Sequence, residues 1–220
     1  VRLVGGRLAW YPPGAGVEPQ WLDDESARDK LRATLAQRRV KVCFAVPGAD
    51  ARVLTLAVAP EEKKHISKSL PFMLEEQFAA DVEKLHFAFC PLEGDNFAVA
   101  STAQAKMEEW QLLLADFPGI AQWLPEPLLL PWQADEWCLV LEAGSAIIRV
   151  GRCDGFSVER NLVDVLLQGV LRESAPPQAV IVYGSDQIAD TELLPAPLRD
   201  RVQWRRGNLC AALLLSESGE

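Results

Sequence analysis

Residues Glu136 to Asn161 read EWCLVLEAGSAIIRVGRCDGFSVERN. Three short apolar runs alternate with two glycine-bearing breaks, and the second break, Asp154-Gly155, is a strong two-residue hairpin signal. The stretch is predicted to fold as three antiparallel strands. Downstream, Asn161 with Asp164 is expected to cap the apolar helix LVDVLLQGVLRE, Pro176-Pro177 breaks it, and AVIVYG reads as a strand buried on both faces.

A three-strand meander, a helix and a further strand is how one half of a ribonuclease H-like domain begins. Towards the N-terminus, VRLVGGRLAW reads as two strands about a Gly5-Gly6 turn, and DDESARDKLRATLAQRR as a helix with acids in its first turn and bases in its last. VKVCFAVPG is then a buried strand ending at Pro47-Gly48, which leaves an incomplete α/β unit. From Ala51 the expected order is strand (RVLTLAVA), helix (61 to about 82), strand (LHFAFC), strand (NFAVAST), helix (about 102 to 116) and strand (IAQWLPEPLLL). The second of these helices has a capping-box start, Ser101 with Gln104, and a Pro118-Gly119 stop.

The chain has 220 residues, 49% hydrophobic and 24% charged, which is the range of a folded globular protein. Its net charge of −9 excludes nucleic acid or anionic lipid as the main ligand, since phosphate needs a basic footprint; a basic protein partner fits better. Five well-separated cysteines without C-x-x-C and two histidines 21 positions apart point to buried reduced thiols and to no metal. The nucleophile-elbow, zincin and P-loop motifs do not occur. The paired acids Asp23-Asp24 and Asp190 with Glu192 sit in polar, turn-like contexts and are read as solvated.

SLPFMLEEQFAADVEKLHFAF, Ser69 to Phe89, places Pro71 inside the predicted helix, at a cost of about 3 kcal/mol or more for the lost hydrogen bond. Ile66, Leu70, Leu74, Phe78 and Val82 recur every fourth residue and form one apolar ridge. If the helical phase survives the kink, Phe72 and Ala79 project away from that ridge, flanked by Glu75 and Glu76. With Asp81 and Glu83 they make an acidic, partly apolar contact spot for a basic partner surface. The alternative is that Phe72 turns inward and the acids are a solvated face. LHFAFC or NFAVAST, as an edge strand, offers backbone pairing to a partner. Near the other end, Arg199, Arg201, Arg205 and Arg206 surround Trp204; four arginines in an acidic chain are thin support for nucleic acid, and a solvated helix end paired with Asp200 is the plain reading.

The run L-P-F-x-L-E-E-Q-x-A-x-D-V-E-x-L-H-F-A, Leu70 to Ala88, resembles the signature stretch of the GspL (EpsL) family, the inner-membrane platform protein of the bacterial type II secretion system. The elements from about 51 to 128 are similar to the inserted subdomain of that family and of its relatives, the type IV pilus M protein and the division protein FtsA. The resemblance implies an α/β, actin-like (ribonuclease H-like) two-lobed scaffold with a small inserted α+β subdomain. Residues 1–50 with about 120–135 form the first lobe, 51–119 the insert and 136–220 the second lobe. It implies a homodimer at the cytoplasmic face of the inner membrane, attached through a span outside this chain, and with that span it implies a membrane-proximal basic patch at Arg199, Arg201, Arg205 and Arg206. The partners it implies are the N-terminal domain of the secretion ATPase and other platform proteins. An actin-like nucleotide site needs an acid in each of two phosphate hairpins. VRLVGGRLAW has none, Glu142 stands where related ATPases carry Asp, and Val182-Tyr183-Gly184-Ser185-Asp186 replaces a double glycine. The expectation is therefore a scaffold with no cofactor, no metal and no catalysis; the alternative is a nucleotide-binding actin-like protein acting as a membrane-tether or filament ATPase.

Overall fold

The computed structural model describes residues 1–12, 18–37, 39–78 and 81–216. Gly5 and Gly6 both take positive φ, 57° and 78°, the backbone that a tight type I′ turn requires. Strand β1 (Arg2–Val4) therefore folds back on β2 (Arg7–Trp10) with Val4 opposite Arg7, and β3 (Gln20–Trp21) adds to β2. Asp24 caps helix α1 (Glu25–Leu35) by accepting from the Ser26 N–H at 2.8 Å. Strand β4 (Cys43–Val46) leads to β5 (Ala51–Ala57), helix α2 (Ile66–Leu74), strands β6 (Leu85–Pro91) and β7 (Asn96–Ala103), and helix α3 (Gln104–Leu113). Then come β8 (Gln122–Pro125), the short helix α4 (Glu126–Leu129), and the meander β9 (Glu136–Leu141), β10 (Ser145–Arg149) and β11 (Gly155–Glu159). Helix α5 (Val163–Glu173), strand β12 (Ala179–Gly184), helices α6 (Gln187–Glu192) and α7 (Ala196–Arg199), strand β13 (Val202–Arg206) and helix α8 (Leu209–Ser216) complete the order.

One topology occurs twice. The first sheet is ordered β3-β2-β1-β4-β8, and the second contains β13-β12-β9-β10-β11. In both, an antiparallel meander is followed by a helix and two strands parallel to its first strand. Two ribonuclease H-like halves in tandem, the first interrupted after β4, are the actin-like fold. The insertion does not stand alone: β5 pairs with β11 at Val53 opposite Gly155, so β5-β7-β6 extends the second sheet to eight strands.

Each lobe has its own core. Leu31 and Phe44 pack with Trp110 and Leu114 in the first lobe, so α3, grouped with 51–119 on sequence grounds, contributes to the first lobe's interior. Val163, Leu167 and Leu198 cover one face of the second sheet, and Leu130, Leu209 and Ala212 cover the other. In the insert, Ile66, Leu70 and Leu74 pack on Phe97 and Val99, each burial contributing about 1.5–3 kcal/mol.

Several local expectations are corrected. The helix expected over 61–82 ends at Leu74, followed by a 3-10 turn at Glu75–Gln77 and extended backbone at Phe78 (φ −115°, ψ 134°). Pro71 leaves the Ser67 carbonyl without its helical donor, and two acids at the C-terminal end oppose the helix dipole, so the helix stops one turn past the proline. Phe78 instead stacks edge-on against Phe87, ring centroids 5.9 Å apart. Neither expected capping box forms: Ser101 lies in β7, and α5 begins after a 3-10 turn without a side-chain cap. Asp154-Gly155 is not a two-residue turn, because Gly155 already pairs with Arg149 inside β11. Its glycine is dictated by crowding, since a Cβ there would lie 2.6 Å from the Ile148 carbonyl oxygen and 2.7 Å from Pro127 Cβ. Strand NFAVAST is central rather than an edge, leaving β6 at the sheet's end, and IAQWLPEPLLL divides into β8 and α4.

Candidate functional site

The two lobes meet at a buried charge cluster that sequence reading did not identify. Arg2, on the first strand of the first lobe, is buried and donates from Nη1 and Nη2 to Glu142 Oε1 and Oε2 at 2.6 and 2.8 Å. Its Nε donates to Glu126 Oε1 at 2.5 Å, and Glu126 Oε2 accepts the Gly48 N–H at 3.0 Å. Glu142 follows the first strand of the second lobe, so Arg2 ties the first strands of the two repeated halves together. Burial alone lowers the Arg2 pKa, but the hydrogen bonds and charges of Glu142 and Glu126 outweigh it and raise the pKa above the ordinary guanidinium value. The Glu142 carboxylate, on the first hairpin of the second lobe, is thus committed to an internal arginine.

A second network backs the first. Arg160 donates to the Glu142 carbonyl oxygen at 3.0 Å and pairs with Asp190 Oδ1 at 2.5 Å. Asp190 Oδ2 accepts from Trp204 Nε1 at 3.0 Å and from the Asp186 N–H at 3.1 Å. Asp190 is fully buried, which corrects its reading as a solvated acid; three donors explain why the charge is tolerated. Gly184 faces it, and a Cβ there would lie 2.0 Å from Asp190 Oδ2, so this glycine serves the aspartate's packing.

The residues singled out around Pro71 form an open groove of about 350 Å³ lined by Phe72, Glu75, Asp81, Glu83 and Gln104. Phe72 is 75% exposed. Glu75 and Glu76 occupy the 3-10 turn after α2, and neither has an ion-pair partner among the described residues. Asp81 caps the next 3-10 turn by accepting the Glu83 N–H at 3.1 Å, and it pairs with Lys84 at 3.6 Å, so its charge is not wholly unbalanced. Gln104 anchors the floor, donating to the Glu83 carbonyl oxygen at 3.0 Å. Ala79 lies outside the described residues.

The four arginines near Trp204 do not act alike. Arg199 donates to the carbonyl oxygens of Leu194 and Glu192 at 2.8 and 2.9 Å, and Arg201 to that of Pro177. Arg205 donates to Tyr183 Oη at 3.0 Å, and Arg206 is exposed at the end of edge strand β13. None of the four pairs with Asp200. The cysteines are not uniformly buried either: Cys138 and Cys210 are, Cys43 and Cys153 are half-buried and Cys90 is exposed. Among the described residues no helix is long and apolar enough to cross a membrane.

A duplicated ribonuclease H-like fold, with Arg2 of the first half paired to Glu142 of the second, defines an actin-like protein. The family model for type II secretion system (T2SS), protein L matches residues 17–212, and the chain belongs to that family, a component of type II secretion. It is 27% identical over 205 residues to type II secretion system protein L of Pectobacterium carotovorum subsp. carotovorum, covering 91% of this chain and 47% of that protein. The Dickeya chrysanthemi protein of the same name is 29% identical over 175 residues (78% and 42%), and that of Klebsiella pneumoniae 28% over 203 residues (91% and 49%). The chain thus spans about half the length of the relatives it matches. Its fold matches the cytoplasmic domain of EpsL, an inner membrane component of the type II secretion system of Vibrio cholerae, with TM-score 0.71, 16% identity, and coverage of 99% of this chain and 92% of that one.

Proposed function

We propose that this chain is a non-catalytic scaffold at the cytoplasmic face of the bacterial inner membrane that recruits the N-terminal domain of the secretion ATPase. The observation that carries this reading is Phe72: a large aromatic, 75% exposed, beside Glu75 and Glu76, on the stretch that bears the family resemblance. Exposing an aromatic on a soluble surface is disfavoured unless a partner covers it, and unpaired acids around it select a basic, partly apolar surface. Arg2 supports the non-catalytic part, because Glu142 is unavailable to a metal while it holds the guanidinium.

In this reading the protein works as a homodimer with other platform proteins, tethered through a span outside the chain. Arg206, with Arg205 beside it, faces the anionic headgroups, while Arg199 and Arg201 are spent on backbone carbonyls. Nucleic acid plays no part. The test is capture of the purified ATPase N-terminal domain on the immobilised chain, with titration of magnesium-ATP into the chain alone. Capture lost in Phe72→Ala, with no nucleotide heat, supports the scaffold; saturable nucleotide heat favours the ATPase alternative.

A further inference from the structure

We propose that Cys90 and Cys153 are a thiol pair that a small disulfide oxidant closes into a reversible disulfide, tying the outer strand of the insert to the second lobe. Cys90 is exposed on β6, and Cys153 is half-buried in the turn between β10 and β11.

Strand register sets the two thiols on one side of the sheet. Cys90 stands opposite Ala98 and Ala98 opposite Thr55, so these three side chains leave β6, β7 and β5 on the same face. Phe97 and Val99 turn to the other face, where α2 packs. Ala98 is nevertheless buried, so its own face is covered as well. The 150–154 turn supplies that cover: Thr55 Oγ1 reaches the Asp154 carboxylate at 3.5 Å, and Arg152 pairs with Glu93 at 3.6 Å. Cys153 lies between these two anchors in sequence. The side chain that separates Thr55 from Cys90 across the sheet is only the methyl of Ala98, which lets the turn approach.

Both thiols sit on braced backbone. The Val150 and Gly151 N–H groups donate to the Asp154 carbonyl oxygen at 3.0 and 3.1 Å, and Arg149 donates to the carbonyl oxygens of Gly151 and Arg152. Burial pushes the Cys153 thiol up, and Cys90 is the charged neighbour that adds most to this, with Arg149 and Arg152 opposing it. Exposed Cys90 therefore reacts first and Cys153 resolves.

The Cys90 thiolate attacks one sulfur of the oxidant, here oxidised glutathione, and releases one glutathione thiolate. The Cys153 thiolate then attacks the Cys90 sulfur, breaks the mixed disulfide and releases the second. The two protein thiols give up two electrons and two protons, and the small disulfide takes them up as two thiols. The insert is lightly held where this bond forms. Strand β5 meets β11 at Val53 opposite Gly155, while the Arg152–Glu93 pair beyond is exposed on both sides and contributes little.

The pair is independent of the Phe72 groove and of the homodimer reading. The test equilibrates the 220-residue chain in glutathione buffers of falling reduced-to-oxidised ratio, quenches with maleimide and maps the peptides by mass spectrometry. The expected result is loss of two of the five thiols, a Cys90–Cys153 cross-linked peptide within monomeric protein, and reversal by dithiothreitol. The oxidised protein is expected to melt at least about 4 °C above the reduced one, a shift absent from Cys90→Ser and Cys153→Ser. In Cys153→Ser, Cys90 stops at the glutathione mixed disulfide. A parent protein in which Cys90 stays unreacted, remains glutathionylated beside a free Cys153, or cross-links only to a second chain overturns the proposal.

Discussion

Replacing Arg2 with alanine tests the interlobe cluster. The substitution removes three charge-assisted hydrogen bonds, at 2.5, 2.6 and 2.8 Å, and leaves two carboxylates facing each other without their cation. Breaking a buried ion pair from one side costs about 3–5 kcal/mol, mostly because the orphaned charge stays desolvated. The Glu126 side chain is 6% exposed and takes the full penalty, whereas Glu142 is 24% exposed and water relieves part of it, so the lower half of that range applies, about 3–4 kcal/mol. For a domain of this size each kcal/mol moves the melting temperature by about 2–4 °C, giving a drop of about 6–16 °C. Urea unfolding followed by circular dichroism reads the change directly. A companion variant, Arg2→Met with Glu126→Gln and Glu142→Gln, removes the orphaned charges and recovers most of the loss. If Arg2→Ala unfolds within about 0.5 kcal/mol of the parent protein, the cluster does not hold the lobes together and the reasoning fails.

Gly184→Ala drives a methyl to within 2.0 Å of Asp190 Oδ2 and is expected to destabilise by at least 2 kcal/mol in the same urea assay, with Asp190→Ala similarly costly. Burial pushes the Cys138 thiol up from 9.0 to about 12, so the folded state keeps a proton that the unfolded state loses. That contribution is complete below pH 9 and declines above it by about 1 kcal/mol per pH unit; Cys138→Ala flattens the alkaline side of a stability–pH curve. A maleimide reagent is expected to label exposed Cys90 in the native protein, whereas Cys138 and Cys210, the latter raised to about 11 by burial, react only after unfolding, as peptide mapping will record.

Much of the architecture was legible because local chemistry and tertiary structure agree. Gly5-Gly6 marked a turn that needs two positive φ angles, the acid-first, base-last run DDESARDKLRATLAQRR marked α1, and the 136–159 meander emerged from alternating apolar runs. The readings failed where long-range contacts decide. Periodicity through Phe78 and Val82 mimicked one long helix, but Phe78 found Phe87 on a neighbouring strand and the helix ended at Leu74. Gln104 matched a capping pattern, yet its amide reaches back to Glu83. The short strand β3, the helices α6, α7 and α8, and β13 carry too few residues for a periodic signal. The charge clusters were least legible, since Arg2 pairs with residues 124 and 140 positions away. Their one trace was a single charge inside an apolar run, Arg2 in VRLV and Glu126 in LPEPLLL.

Isothermal titration of the ATPase N-terminal domain into this chain, beside its Phe72→Ala and Glu75→Lys/Glu76→Lys variants, is the most direct measurement. Saturable one-to-one binding, weakened at least about tenfold in each variant while folding is unchanged, is the predicted result. Absence of binding, or equal affinity in all three proteins, contradicts it.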